Sequence, residues 1–213
     1  SACGIAALSK PDPSWLRILL AALLGAVSTF AFASGMIYLF VAGLVLYAGT
    51  SGPRRRRVVT AWCVITLLVA LLFALNTREG AVITAGQPTV LERIGVASAF
   101  LPVYLGALLT KFHLPAALWL GVAGMLLGVF AVWRAFRKGD IPATALMPMF
   151  AFMLFAILSG LAACLARHRP LETLFTMEHG GLLSSAAERY PFFAQFYWLG
   201  LLGLLWLQLP KRG

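Results

Sequence analysis

Charge is what this sequence has least of. Only 11% of its 213 residues are charged, and seven acids stand against seventeen lysines and arginines. A soluble domain needs polar side chains to cover its surface, whereas this chain is 61% hydrophobic with a mean hydropathy of +0.90. That is more apolar surface than one core takes in, so much of it faces lipid. Histidine and cysteine are scarce too, three of each. There is no HExxH, no CxxC and no second cluster at ligand spacing, so neither a metal nor a cofactor is expected. Cys63 and Cys164 lie inside apolar runs and read as small core hydrophobes, with Cys3 standing apart near the start. Strict alternation is missing from the apolar runs, which points to helices as the form that satisfies the backbone within lipid.

What is present is a succession of Leu/Ala/Val-rich stretches. Candidate spans cover 16–33, 35–48, 58–76, 116–133, 141–165 and 192–209. The second is short and follows "FASG", where Ser34 and Gly35 suit a tight turn at the membrane edge. The expected fold class is all-α: a polytopic integral membrane helical bundle of about six transmembrane helices, one domain over 1–213. The chain opens on Ser1 and its first fifteen residues lack the pattern of a signal peptide, which predicts a processed chain or the C-terminal part of a larger protein.

The net charge of +10 is concentrated beside helix ends, where anionic lipid and topology account for it better than nucleic acid does. The positive-inside rule puts Arg54 to Arg57 in the cytoplasm of a bacterial inner-membrane protein, with Arg134 to Lys138 and the terminal Lys211 and Arg212. From Arg57 the third span exits, and the return at Arg134 needs one crossing, supplied by 116–133. The stretch 94–111, with Pro102 and Tyr104 inside it, is therefore expected as an interfacial or re-entrant outer helix. On this topology Lys10, Arg17, Arg54 to Arg57, Arg134, Arg137, Lys138, Lys211 and Arg212 are cytoplasmic. All five glutamates and all three histidines fall outside, although the rule counts neither.

The largest outer island of charge is "RHRPLETLFTMEHGGLLSSAAERY", from Arg167 to Tyr190. Arg167 and Arg169 lie at the outer end of the fifth crossing, before the helix-stopping Pro170. Paired guanidiniums there either clamp a phosphate bidentately or snorkel to headgroups as anchors. "MEHGG" sets Glu178, a candidate general base, beside His179, its partner or a donor to phosphate; the same residues also suit a solvated loop. Glu188, Arg189 and Tyr190 stand at the mouth of the last span, where Arg189 either pairs or binds an anion. The rings that follow, Phe192 to Trp198, fit an interfacial aromatic collar. No Asp or Glu falls within a span, so the carboxylate relay of a proton-coupled transporter is missing. "GVAGMLLG" and "LGLLG" suit close helix packing, within the chain or between copies.

The succession "LLAALLGAVSTFAFASGMIYLFVAGLVLY", "RRRRVVTAWCVITLLVALLFALN", "FAFMLFAILSGLAACLARHR" and "SSAAERYPFFAQFYWLGLLGLLW" resembles the C-terminal half of a family of polytopic bacterial inner-membrane proteins. That family is similar to GT-C type glycosyltransferases. Its most distinctive feature is an Arg-Tyr pair opening the final span, matched by Arg189 and Tyr190, with Trp198 and "LGLL" following. The resemblance implies a polyprenyl-phosphate-linked sugar donor used at the periplasmic face in cell-surface glycan assembly. Arg167, Arg169, Arg189 and Tyr190 would bind substrate, with Glu178 and His179 for acid/base work. GT-C enzymes place an essential carboxylate in the first periplasmic loop, and the first outer turn here, "FASG", carries no acid. Two readings stay open. The catalytic part lies on a preceding segment or a second membrane chain, or the protein is a non-enzymatic accessory subunit of a membrane complex.

Charge bias and parity make the topology testable. Single cysteines introduced near Arg55 and Lys138 should be shielded from a membrane-impermeant thiol reagent in intact cells, and ones near Gln87 and Gly180 should react. Labelling at 138 without labelling at 180 contradicts the orientation.

Overall fold

In lipid no water is at hand to bond the main chain, and runs of Leu, Ala and Val answer that constraint by coiling into helices. The computed structural model describes residues 2–9, 12–31, 34–77, 90–110, 114–139, 141–166 and 191–209, and these form eight helices and no strand. They are α1 (Ala2–Leu8), α2 (Trp15–Ala31), α3 (Ser34–Gly49), α4 (Gly52–Thr77), α5 (Val90–Thr110), α6 (Leu114–Lys138), α7 (Ala143–Ala166) and α8 (Pro191–Leu207). Among the described residues, three helices are long and apolar enough to cross a membrane: α4, α6 and α7, with stretches of 25, 23 and 20 residues. Shorter apolar segments, again among the described residues, lie in α2, α3, α5 (Ser98–Thr110) and α8.

The helix bounds shift by a few residues from the sequence reading, and two departures have a clear physical cause. The arginine run does not flank α4 but forms its opening turns, because Gly52, at φ +60°, and Pro53 start the helix ahead of it. Helix α1 was not anticipated. Seven residues are too few for an isolated helix, and tertiary burial stabilises this one: Ile5 and Leu8 are fully buried.

The chain divides into two compact units, Ser1–Ile83 with Lys138–Phe155 and Thr84–Arg137 with Ala156–Gly213. In the first, α1 packs on α2 and α3, and α3 on α4. Tyr38 of α3 is fully buried and donates its hydroxyl to the Ala21 carbonyl of α2 at 3.2 Å. Trp62 of α4 donates Nε1–H to the Leu39 carbonyl of α3 at 2.9 Å. Arg54 reaches the Pro13 carbonyl at 2.7 Å, fastening the start of α4 to the α1–α2 link.

The second unit is built around α5. Tyr104 donates to the Ala156 carbonyl of α7 at 3.4 Å, and Trp198 of α8 donates Nε1–H to the Leu105 carbonyl at 2.9 Å. Tyr197 donates to the Gly124 carbonyl of α6 at 2.8 Å, and Gln208, just past α8, to the Ala131 carbonyl at 2.7 Å. Helices α5 and α6 meet backbone to backbone. A Cβ at Gly106 would overlap the Ala117 carbonyl oxygen, and one at Gly121 the Pro102 carbonyl oxygen. A Cβ at Gly124 would meet the Trp198 ring, so two glycines of "GVAGMLLG" serve packing within the chain.

The outward faces are apolar. On α2, Leu16, Leu19, Leu20, Leu23 and Val27 are exposed while Ile18, Ala21, Ala22 and Thr29 are buried, the division of one helix into an exposed apolar face and a packed face. Only 17% of the apolar window of α4 is buried, so Leu67, Leu68, Leu71, Leu72 and Leu75 face outward. In water such a surface would drive aggregation; in a bilayer it is solvated.

Close backbone contact makes α5 and α6 intolerant of added volume. Gly121→Val should lower the thermal midpoint in detergent by the equivalent of about 3 kcal/mol or more, since a carbonyl cannot swing aside as a side chain can. Leu126→Ala, at a position 67% exposed, should leave the midpoint nearly unchanged. Equal effects of the two would refute the contact.

Candidate functional site

Arg167, Arg169, Glu178, His179, Arg189 and Tyr190 lie outside the described residues. The frame around them is described. Helix α7 ends at Ala166, immediately before Arg167, and α8 begins at Pro191, immediately after Tyr190. Each helix bonds to α5 through an aromatic donor one residue apart, Tyr104 to α7 and Leu105 from Trp198 of α8. Two consecutive residues of α5 therefore tie down the helices that carry the ends of the charged stretch. The segment 78–89, expected on the outer side, and His113 also lie outside the described residues.

The aromatic run at the start of α8 is not simply a collar. Phe196 and Tyr197 are buried, and Trp198, half-buried, bonds α5 while its ring lies against Gly124 of α6. These rings hold the opening turns of α8 against its neighbours, which bears on any site built from Arg189 and Tyr190. All three cysteines are free thiols: Cys164 is buried, as its apolar run suggested, whereas Cys3 and Cys63 are exposed. Among the described residues no three His, Cys, Asp or Glu side chains gather as metal ligands.

A second site escaped the sequence reading. A groove of about 460 Å³ runs along α3 and α4, lined by Leu39, Gly43 and Tyr47 on one side and Val59, Thr66 and Ala70 on the other. Its walls are almost wholly carbon. Gly43 opens it, since a Cβ there would stand 3.1 Å from the Trp62 ring. At its mouth Arg55 lies over the Tyr47 ring, 4.9 Å from the centroid, with Nε–H donated to the Thr50 carbonyl at 2.7 Å. The signal in the sequence was the spacing of Val59, Trp62, Cys63, Thr66, Leu67 and Ala70, one helical stripe that continues back to Arg55 and Arg56. Nothing in α4 alone reveals that α3 leaves this stripe partly uncovered.

No protein-family model, curated protein or solved structure matches this chain.

The groove wall holds one polar atom without a hydrogen-bond partner among the described residues, the buried Thr66 hydroxyl. Thr66→Val removes no bond, so it should leave the thermal midpoint unchanged or raise it. Tyr197→Phe breaks a buried interhelical bond of 2.8 Å and should cost about 0.6–1.7 kcal/mol. A larger loss from Thr66→Val than from Tyr197→Phe would show that the Thr66 hydroxyl is engaged.

Proposed function

We propose that this is a six-crossing protein of the bacterial inner membrane that forms, or forms part of, a transferase acting on a polyprenyl-phosphate-linked sugar at the periplasmic face. The observation that carries this reading is the position of the arginines at helix ends. Arg167 directly follows α7, Arg189 stands two residues before α8, and the second half of α7, from Ala156, and α8 are both bonded to α5 in one unit. Helices α4, α6 and α7 supply three crossings. Helices α2, α3 and α8, at 16 or 17 residues, reach roughly 24–26 Å and cross with slight thinning of the bilayer or snorkelling of their flanks. Helix α5, which carries Pro102 within it, stays in the outer leaflet, because a crossing there would put the later basic clusters on the opposite side.

On that topology Arg167, Arg169 and Arg189 face the periplasm together. Guanidiniums offer paired planar donors to phosphate oxygens, and near a bilayer those charge-assisted bonds gain from partial exclusion of water. They would hold the departing polyprenyl phosphate and stabilise its charge, with Tyr190 beside them. Glu178, next to His179, would orient or deprotonate the acceptor hydroxyl. A second membrane chain or a preceding segment would supply the carboxylate that the "FASG" turn lacks.

The test compares two conservative substitutions. Arg189→Lys keeps the charge and loses the planar fork, so polyprenyl-monophosphate binding should fall about tenfold. Arg137→Lys, on the far end of α6 where the guanidinium only lies over Trp133, should be silent. Binding and sugar transfer are measured at equal expression. Equal behaviour of the two variants would leave 167–190 a solvated loop with interfacial anchors and favour the accessory-subunit reading.

A further inference from the structure

We propose that the α3–α4 groove is a binding site for one anionic phospholipid, an acyl chain lying along the groove and the phosphate resting on Arg55 and Arg56. The inference depends neither on a transferase activity nor on which side of the membrane the arginines occupy.

The groove has the right chemistry at both ends. Its floor and walls are hydrocarbon and aromatic carbon. From Val59 to Ala70 it follows α4 for roughly 16 Å at the rise of an α-helix. One leaflet of a bilayer holds roughly 15 Å of hydrocarbon, half of the ~30 Å core. An acyl chain entering at Val59 thus runs out near the midplane, where the groove ends.

At the mouth the charge is unbalanced. Arg54, Arg55, Arg56 and Arg57 crowd the first turns of α4, where no acid is present and where the helix dipole already places positive potential. Four cations at a helix N-terminus repel one another and the dipole. Arg54 is fastened to the Pro13 carbonyl and Arg55 to the Thr50 carbonyl, both neutral acceptors, and no ion pair reaches the run among the described residues. Arg56 and Arg57 are exposed, and Asp12, in the nearby α1–α2 link, is exposed as well.

Arg55 and Arg56 are singled out by geometry. They precede Val59 by four and three residues, so they cap the same stripe of α4 that lines the groove. The Arg55 guanidinium is held over Tyr47, itself part of the groove wall. An anionic headgroup there meets cations while its chain continues into the groove. A zwitterionic headgroup brings its own cation to the same place and gains less.

The full-length chain purified in detergent is examined by native mass spectrometry with phosphatidylglycerol and phosphatidylcholine of identical acyl chains. The expected result is one phosphatidylglycerol retained per chain at concentrations where phosphatidylcholine is lost. Arg55→Gln with Arg56→Gln should weaken that retention at least about tenfold, the loss of two interfacial cations near an anion. Ala70→Phe should weaken it with every charge intact, by filling the deep end of the groove. If that variant does not fold, Leu44→Trp, at a groove position already 40% exposed, serves as the plug. Arg137→Gln should retain lipid like the unaltered protein. Equal retention of the two lipids, unaltered retention by the plugged variant, or an equal loss from Arg137→Gln would each overturn the site. Displacement of phosphatidylglycerol by an equimolar polyprenyl monophosphate would overturn the phospholipid as its occupant.

Discussion

A helix carbonyl has two lone pairs and spends one on its own helix. The second is what joins helices within each of the two units. Tyr38, Trp62, Tyr104, Tyr197 and Trp198 each place a neutral O–H or N–H on a carbonyl of another helix. Neutral donors suit that role, because a buried ammonium or guanidinium would lose its hydration with no carboxylate to answer it. The aromatic ring that carries the donor also fills volume between helices, so one residue supplies both a directional bond and packing.

Lipid gives helices little hydrophobic reason to associate, so contact has to come from fit. The α5–α6 pair shows how. Gly106 and Gly121 bring two backbones together, and Trp198 fills the space that Gly124 leaves. On α2 and α4 the leucines lie on the outside, whereas Leu39, Leu46, Leu105, Leu201 and Leu204 of other helices are buried together with alanine and tyrosine.

Charge collects toward helix ends, and the two candidate sites both arise there. One is the stretch 167–190 between α7 and α8; the other is the arginine-capped groove of α3 and α4. They differ in what surrounds the cations. In sequence, glutamates and histidines accompany the arginines of 167–190, whereas among the described residues neutral carbonyls and an aromatic face meet Arg54 and Arg55. The first arrangement suits chemistry on a bound phosphate and the second suits holding one.

Composition alone determined that the chain is helical, with helices long and apolar enough to cross a membrane, because scarce charge and long unalternating apolar runs leave few other solutions. Although α4 and α6 run on through their basic ends to Gly52 and Lys138, the places of α4, α6 and α7 were readable for the same reason, as was the placing of arginines near helix ends. The choice of inward face was not. In a soluble helix polarity marks the outside, but here leucine outside and alanine inside are both apolar, so α3 and α4 show almost no sequence asymmetry. For that reason the burial of Tyr197, the pairing of Gly106 with Ala117 and the groove beside Trp62 were decided only when helices distant in sequence were brought together. Helix α1 belongs with these: seven residues carry too little local preference to form a helix, and burial of Ile5 and Leu8 against other helices decides it.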